Sequence, residues 1–125
     1  MASRKRSSRS SRRSSRRAGN ARARPRVEAR NWLSGKVEGF ATNHFGSDVD
    51  DVRKYVDSLY KTGAKAVYVE DPYNDEWRQG SYGDTLRVVL PADRNKAVKV
   101  MAAIGRSQPD RLTVERDGTV RVWWD

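Results

Sequence analysis

Closely spaced arginines open this chain, and their type and spacing suggest a specific chemistry. The run SRKRSSRSSRRSSRR, at residues 3–17, interleaves basic side chains with serine and contains no acidic or apolar residue. A guanidinium group is planar, and its fork of donors matches two phosphate oxygens at once. A mobile segment with many such groups binds polyanions by releasing condensed counterions, and it does so without reading base sequence. The run therefore predicts contact with the phosphates of a nucleic acid.

The positive charge of the chain is concentrated in this segment. The 125 residues include 26 basic and 16 acidic side chains, a formal net charge of +10. Residues 1–26 hold eleven of the basic side chains and none of the acidic ones, so the rest carries −1. Because it has no apolar face to bury, this tail is predicted to be disordered. The predicted phosphate contacts are Arg4, Lys5, Arg6, Arg9, Arg12, Arg13, Arg16, Arg17, Arg22, Arg24 and Arg26.

In composition the tail resembles protamines, the arginine–serine segments of RNA-processing proteins, and the basic inner arms of small viral coat proteins. This resemblance concerns a low-complexity segment and implies binding to either DNA or RNA. A nuclear address, a protein partner and anionic lipid stay open as alternatives. Phosphorylation of the tail serines would place negative charge beside the arginines and weaken polyanion binding.

Composition also excludes several classes of site. The chain has no cysteine, which removes disulfides, thiolate metal sites and a cysteine nucleophile. It has no apolar run long enough to span a bilayer. We expect no cofactor and no metal. We expect an intracellular protein, at the nucleoid or in the nucleus if the tail is an address and cytoplasmic otherwise.

The remaining residues predict a short linker, 27–35, and a small α+β domain, 36–125. Apolar residues at helical spacing indicate a helix between Ser47, which caps it in a capping-box arrangement with Asp50, and Gly63. A second helix is expected from Asp93, its cap, to Gly105.

Alternating apolar residues predict strands at 36–42, 64–70 and 84–90, followed by a C-terminal hairpin. The order β-α-β-β-α-β with an extra strand resembles the ferredoxin-like fold, a two-layer sandwich with both helices on one face of an antiparallel sheet. If the first strand does not form, the expected result is an αββαββ two-layer sandwich.

The register of the hairpin follows from its apolar pattern. A three-residue loop from Arg116 to Gly118 sets Val114 opposite Val120 and Leu112 opposite Val122, whereas a two-residue turn would set Val114 opposite Arg121 and Leu112 opposite Trp123. We therefore predict the three-residue loop, with Gly118 in the left-handed conformation.

RNA-recognition modules share the predicted strand order and stack bases on aromatic residues of their third strand. The matching strand here, at 84–90, has no aromatic residue, so membership of that family is not predicted. Arg87, Arg121 and Trp123 are a possible secondary patch for a single strand on the open side of the sheet. In the alternative interpretation, Trp123 and Trp124 pack the sheet edges.

A glycine-containing run and the single histidine are two further candidates for chemistry. The run GKVEGF, at residues 35–40, is similar to the phosphate loop of acylphosphatases. Asn43 stands where that family has an arginine, and the family's water-orienting asparagine has no counterpart in this sequence. An enzyme is therefore the weakest interpretation, and no catalytic residue is assigned. His44 is expected to be a capping or surface residue.

The acidic run at residues 70–77 includes Glu70, Asp71, Asp75 and Glu76. Its spacing does not match a cation-binding loop, so a solvated loop is expected. The sequence as a whole favours a non-sequence-specific nucleic-acid-binding protein whose folded domain serves self-association or docking to a protein partner. The alternative is a structural or assembly protein, capsid-like or compacting, whose arm neutralises packaged nucleic acid.

Overall fold

A computed structural model describes residues 24–74 and 80–125 of the chain. The helices in this part are α1 Ala29–Leu33, α2 Thr42–Phe45, α3 Val49–Thr62 and α4 Arg94–Arg106. The strands are β1 Arg26–Glu28, β2 Val37–Phe40, β3 Ala66–Glu70, β4 Tyr73–Asn74, β5 Ser81–Gly83, β6 Thr85–Val89, β7 Arg111–Val114 and β8 Thr119–Trp123.

Five of these strands form an antiparallel sheet in the order β1-β3-β6-β8-β7. One face of the sheet packs against the helices, where its valines and leucines join a single apolar core with residues of α1, α3 and α4. The predicted α+β class and the antiparallel sheet packed against helices are confirmed.

The ferredoxin-like topology is not confirmed, because the predicted first strand lies in a different sheet. β2 pairs in parallel with β5, and β5 pairs with β4, which gives a separate three-stranded sheet. Its register shifts between Val37 and Gly39, and the backbone turns at Ala41, which adopts a φ of 45°. β1 takes the place beside β3 instead. From α3 onward, the helices and the strands of the five-stranded sheet follow the αββαββ order.

The two long helices are confirmed, with Gly63 at the C-terminal end of α3 as predicted, and each helix differs from the prediction at one end. The cap of α3 is Asp48 rather than Ser47, since its carboxylate accepts a hydrogen bond from the backbone N–H of Asp50 at 2.9 Å. Asp93 caps α4 as predicted, but that helix continues through Gly105 to Arg106. No helix in the described ranges is long and apolar enough to cross a bilayer.

The hairpin has the predicted register. Val114 lies opposite Val120 and Leu112 opposite Val122. Gly118 adopts a φ of +84°, which is the left-handed conformation expected for a three-residue loop.

The segment predicted as a linker, 27–35, belongs to the folded unit in the structure. It carries most of β1 and all of α1, whose Trp32 and Leu33 are buried in the core. The backbone N–H of Asp71 also donates to the carbonyl of Pro25 at 2.7 Å. Because these contacts reach back to Pro25, the fold begins before the predicted boundary at residue 36.

Candidate nucleic-acid interface

Strand alternation gives the five-stranded sheet two unlike faces. Val67, Leu86 and Val122 face the helices and are fully buried. The residues between them in sequence point to the opposite side, which we call the open face. The cross-strand pairs on the open face include Arg26–Glu70, Tyr68–Arg87, Arg87–Arg121, Arg121–Thr113, Thr85–Trp123 and Arg111–Trp123.

A buried carboxylate organises the arginines of the open face. Glu70 is 1% exposed, and its Oε1 accepts a hydrogen bond from Arg87 Nε at 2.7 Å. Its Oε2 accepts from Arg121 Nε at 3.0 Å and lies 3.8 Å from Arg24 Nε. We call Arg24, Arg87 and Arg121 with Glu70 the arginine cluster. A single carboxylate thus holds three guanidinium groups together.

The arginine cluster fixes the charge state of Glu70. Burial alone would raise the pKa of this carboxyl, but hydrogen bonds from Arg121 and Arg87, together with their positive charges, outweigh it and lower the pKa. Glu70 is therefore ionised at neutral pH, and the three arginines exceed its charge by two.

Arg87 was predicted as part of a ligand patch, and its donors are directed at protein groups. It is 8% exposed. Besides Glu70, its guanidinium donates to Thr119 Oγ1 at 3.1 Å and lies 3.6 Å from Glu115. A ligand would have to break these hydrogen bonds to reach the guanidinium. We therefore infer that Arg87 stabilises the open face and does not contact a ligand.

Arg121 and Trp123, the other two residues of the predicted patch, remain accessible. The side chain of Arg121 is 27% exposed, and Trp123 is half-buried. Together with Arg111 they line a depression of about 190 Å³ on the open face. Arg111 was not predicted as a site residue. Strand alternation is the signal that identifies it, because Leu112 faces the core and its neighbour must face the other way.

The tail joins the fold beside this face. Arg24 reaches Glu70 and also lies 3.6 Å from Asp71, while Arg26 pairs with Glu70 across β1 and β3. Of the predicted tail contacts, these two arginines are described. The others lie outside the described residues: Arg4, Lys5, Arg6, Arg9, Arg12, Arg13, Arg16, Arg17 and Arg22.

The acidic run at 70–77 differs from the solvated loop that was predicted. Glu70 ends β3 and is buried, whereas Asp71 is exposed. Asp75 and Glu76 lie outside the described residues. Within the described ranges, the acidic and histidine side chains form no group that could hold a metal ion.

A second depression, of about 200 Å³, lies between α1 and α3 and contains Arg30 and Arg53. Both cations have carboxylate partners. Arg30 Nε lies 2.9 Å from Asp57, and Arg53 Nη1 lies 2.6 Å from Asp50. This balance of charge makes the depression a weaker candidate for a polyanion than the open face.

Several other aromatic residues in the described part of the chain belong to the core or pack against it. Trp124 is fully buried, and its ring lies between 5.2 and 5.8 Å from those of Phe40, Phe45 and Tyr55. His44 is exposed on α2, with its ring 4.7 Å from that of Phe45, which agrees with the surface position predicted for it.

No model of a protein family, no curated protein and no solved structure matches this chain.

Proposed function

We propose that this protein binds nucleic acid without sequence specificity, through its basic N-terminal residues 1–23, which we call the arm and which contact phosphates. The folded domain is proposed to anchor the arm and to serve self-association or docking to a protein partner. The observation that carries the proposal is the distribution of charge. Residues 1–23 contain nine basic side chains and no acidic one, whereas residues 24–125 contain seventeen basic and sixteen acidic side chains.

The geometry of the domain supports this proposal. The arm is attached at the edge of the open face, where Arg24 and Arg26 lie against Glu70. A polyanion held by the arm is therefore close to the arginines of the sheet. Arg121 and Arg111 lie farther across the sheet, and Arg111 has no ion-pair partner in residues 24–74 and 80–125, so the open face carries positive charge away from the root of the arm.

An assembly function is the second candidate, and one feature of the sheet favours it. β7 is an edge strand, so its outer backbone groups have no strand partner within the described part of the chain. Val114 of this strand is 59% exposed. Open strand edges pair with other chains, which makes β7 the most suitable element for contact between copies.

The proposal predicts that removal of the arm abolishes most nucleic-acid affinity. The cut belongs before Arg24, because Arg24 and Pro25 contact the folded domain through Glu70 and Asp71. An arm engaging about six to ten phosphates makes affinity fall by about 10³–10⁵-fold between 50 and 200 mM salt. A chain beginning at Arg24 should lose that steep dependence on random DNA and RNA in a salt titration.

A full-length chain with the nine basic residues of 1–23 changed to glutamine is the matched control. It keeps the length of the arm and removes its charge, so it should behave like the shortened chain. Thermal unfolding should be the same for all three proteins. Equal affinity and equal salt slope in the native and shortened chains would contradict the proposed role of the arm.

A further inference from the structure

Trp123 lies between positively charged residues on the open face. Within the sheet its direct neighbours are Arg111 on β7 and Thr85 on β6. Arg121, two positions earlier on β8, points to the same side because side chains alternate along a strand. The depression of about 190 Å³ lined by Arg111, Arg121 and Trp123 therefore combines an aromatic ring with two guanidinium groups.

The two arginines keep donors for a ligand. Arg121 donates to Glu70 through Nε, and its Nη groups have no partner among the residues that the structure describes. In the same ranges Arg111 forms no ion pair. Glu70 holds Arg121 from one side, which leaves the terminal donors of its guanidinium at the depression.

Acidic residues near this depression influence the path that a nucleic-acid backbone would take. The Asp110 carboxylate accepts a hydrogen bond from the backbone N–H of Asp125 at 2.6 Å, at the end of the sheet next to Arg111. Negative charge at this end makes Arg111 the weaker of the two possible phosphate contacts, and Arg121 the stronger. The favourable direction for a nucleic-acid backbone runs from Trp123 past Arg121 toward the arginine cluster.

We propose that the depression binds one nucleotide of a single strand, with the base stacked on Trp123 and the flanking phosphates contacted by Arg111 and Arg121. This inference rests on the proposed nucleic-acid binding and names its substrate class. Bases in a duplex are already stacked and paired, so they cannot reach a half-buried ring on a sheet. Every base has a π-face, so the site accepts any sequence. The open face thus gives the protein a preference for single strands that the arm does not supply.

The test uses the full chain and two probes, a homopyrimidine single strand and a blunt duplex with the same number of phosphates. Binding is measured by fluorescence anisotropy at about 200 mM salt, where counterion release by the arm contributes less. Trp123→Ala should weaken binding of the single strand about 5- to 150-fold, the range for loss of one stacked base. Binding of the duplex should change less than about twofold.

Arg111→Gln tests the phosphate contact. It should weaken single-strand binding and reduce the salt slope by about one, as expected for one lost phosphate contact. Two controls lie off the open face. Tyr73→Ala removes an aromatic side chain that is 52% exposed, and Arg94→Gln removes an exposed arginine of α4. Neither should change the preference for single strands.

Trp123→Phe provides a fluorescence readout with a conservative substitution. The chain contains four tryptophans, and a base stacked on Trp123 should quench part of their fluorescence. That quenching should occur with the native chain and disappear in Trp123→Phe, which keeps an aromatic ring on the sheet.

The outcomes separate this inference from the proposed function. A native chain that binds neither probe would overturn both. The stacking site alone would be overturned by a different result, in which the native chain binds both probes. In that result, tryptophan fluorescence is quenched equally in the native chain and in Trp123→Phe, and Trp123→Ala loses no more single-strand affinity than Tyr73→Ala.

Discussion

Glu70 determines how the arginines of the open face are arranged. Its two oxygens accept hydrogen bonds from Arg87 and Arg121, and it is shielded from water. Without its charge, the guanidinium of Arg87, which is also buried, would lose its principal counter-ion. Loss of one member of a buried ion pair costs more than the pair itself contributes, because a charge is left without compensation.

We therefore predict that Glu70→Gln lowers the free energy of unfolding by about 3–5 kcal/mol. The matched control is Asp57→Asn, which breaks the pair with Arg30 on the surface, where both side chains are about half exposed. That change should cost at most about 1 kcal/mol. Urea denaturation measures both, and equal small losses would contradict the role of Glu70.

The same carboxylate gives a pH dependence with a defined sign. The pKa of Glu70 is lowered in the folded protein, so the unfolded chain binds the proton more readily. The contribution of Glu70 to the free energy of unfolding is fully present above the ordinary glutamate pKa of about 4.3. It is lost as the pH falls through the lowered pKa of the folded protein. The difference in stability between the native chain and Glu70→Gln should therefore shrink below about pH 4. A constant difference would contradict this assignment.

At the scale of elements, local signals predicted structure well. α3, α4 and the C-terminal hairpin were predicted because caps, helical spacing and the three-residue loop from Arg116 to Gly118 act within a few residues. The hairpin register followed from matching Val114 with Val120, a choice that needs no knowledge of the rest of the fold.

Features that depend on distant pairing were not predicted. The pattern of β2 is that of a strand, but nothing near it in sequence specifies that it pairs with β5 rather than with the main sheet. For the same reason Glu70 was assigned to an acidic loop. Its partners, Arg87 and Arg121, come from strands that follow it in the chain and meet it only in the folded sheet.

Two glycines test the element boundaries with the same substitution. Gly118→Ala places a side chain at a φ of +84° and should destabilise the hairpin by about 1–2 kcal/mol. Gly105→Ala lies inside α4, and an added Cβ meets no atom within 4 Å. That change should stabilise the protein by about 0.5–1 kcal/mol, because alanine favours the helix. Thermal denaturation should show opposite signs, and equal signs would contradict the ends assigned to these elements.

For the molecule as a whole, the arm and the domain have different electrostatic roles. The net charge of +10 lies almost entirely in residues 1–23, and the described domain is close to neutral. Copies of the free chain repel one another through their arms, while the domain offers the open edge of β7 for contact. A polyanion removes the repulsion, so association should depend on nucleic acid.

We predict that the full chain, freed of nucleic acid, is a discrete monomer or dimer in sedimentation velocity across a range of protein concentrations. Adding a single strand should produce larger complexes, with the largest increase near charge balance at about ten phosphates per chain, a ratio set by the net charge of +10. The chain that begins at Arg24 should give no such increase, because the arm supplies the neutralising charge. Large closed particles formed without nucleic acid would contradict this prediction and favour the assembly function, in which contacts between domains build the particle.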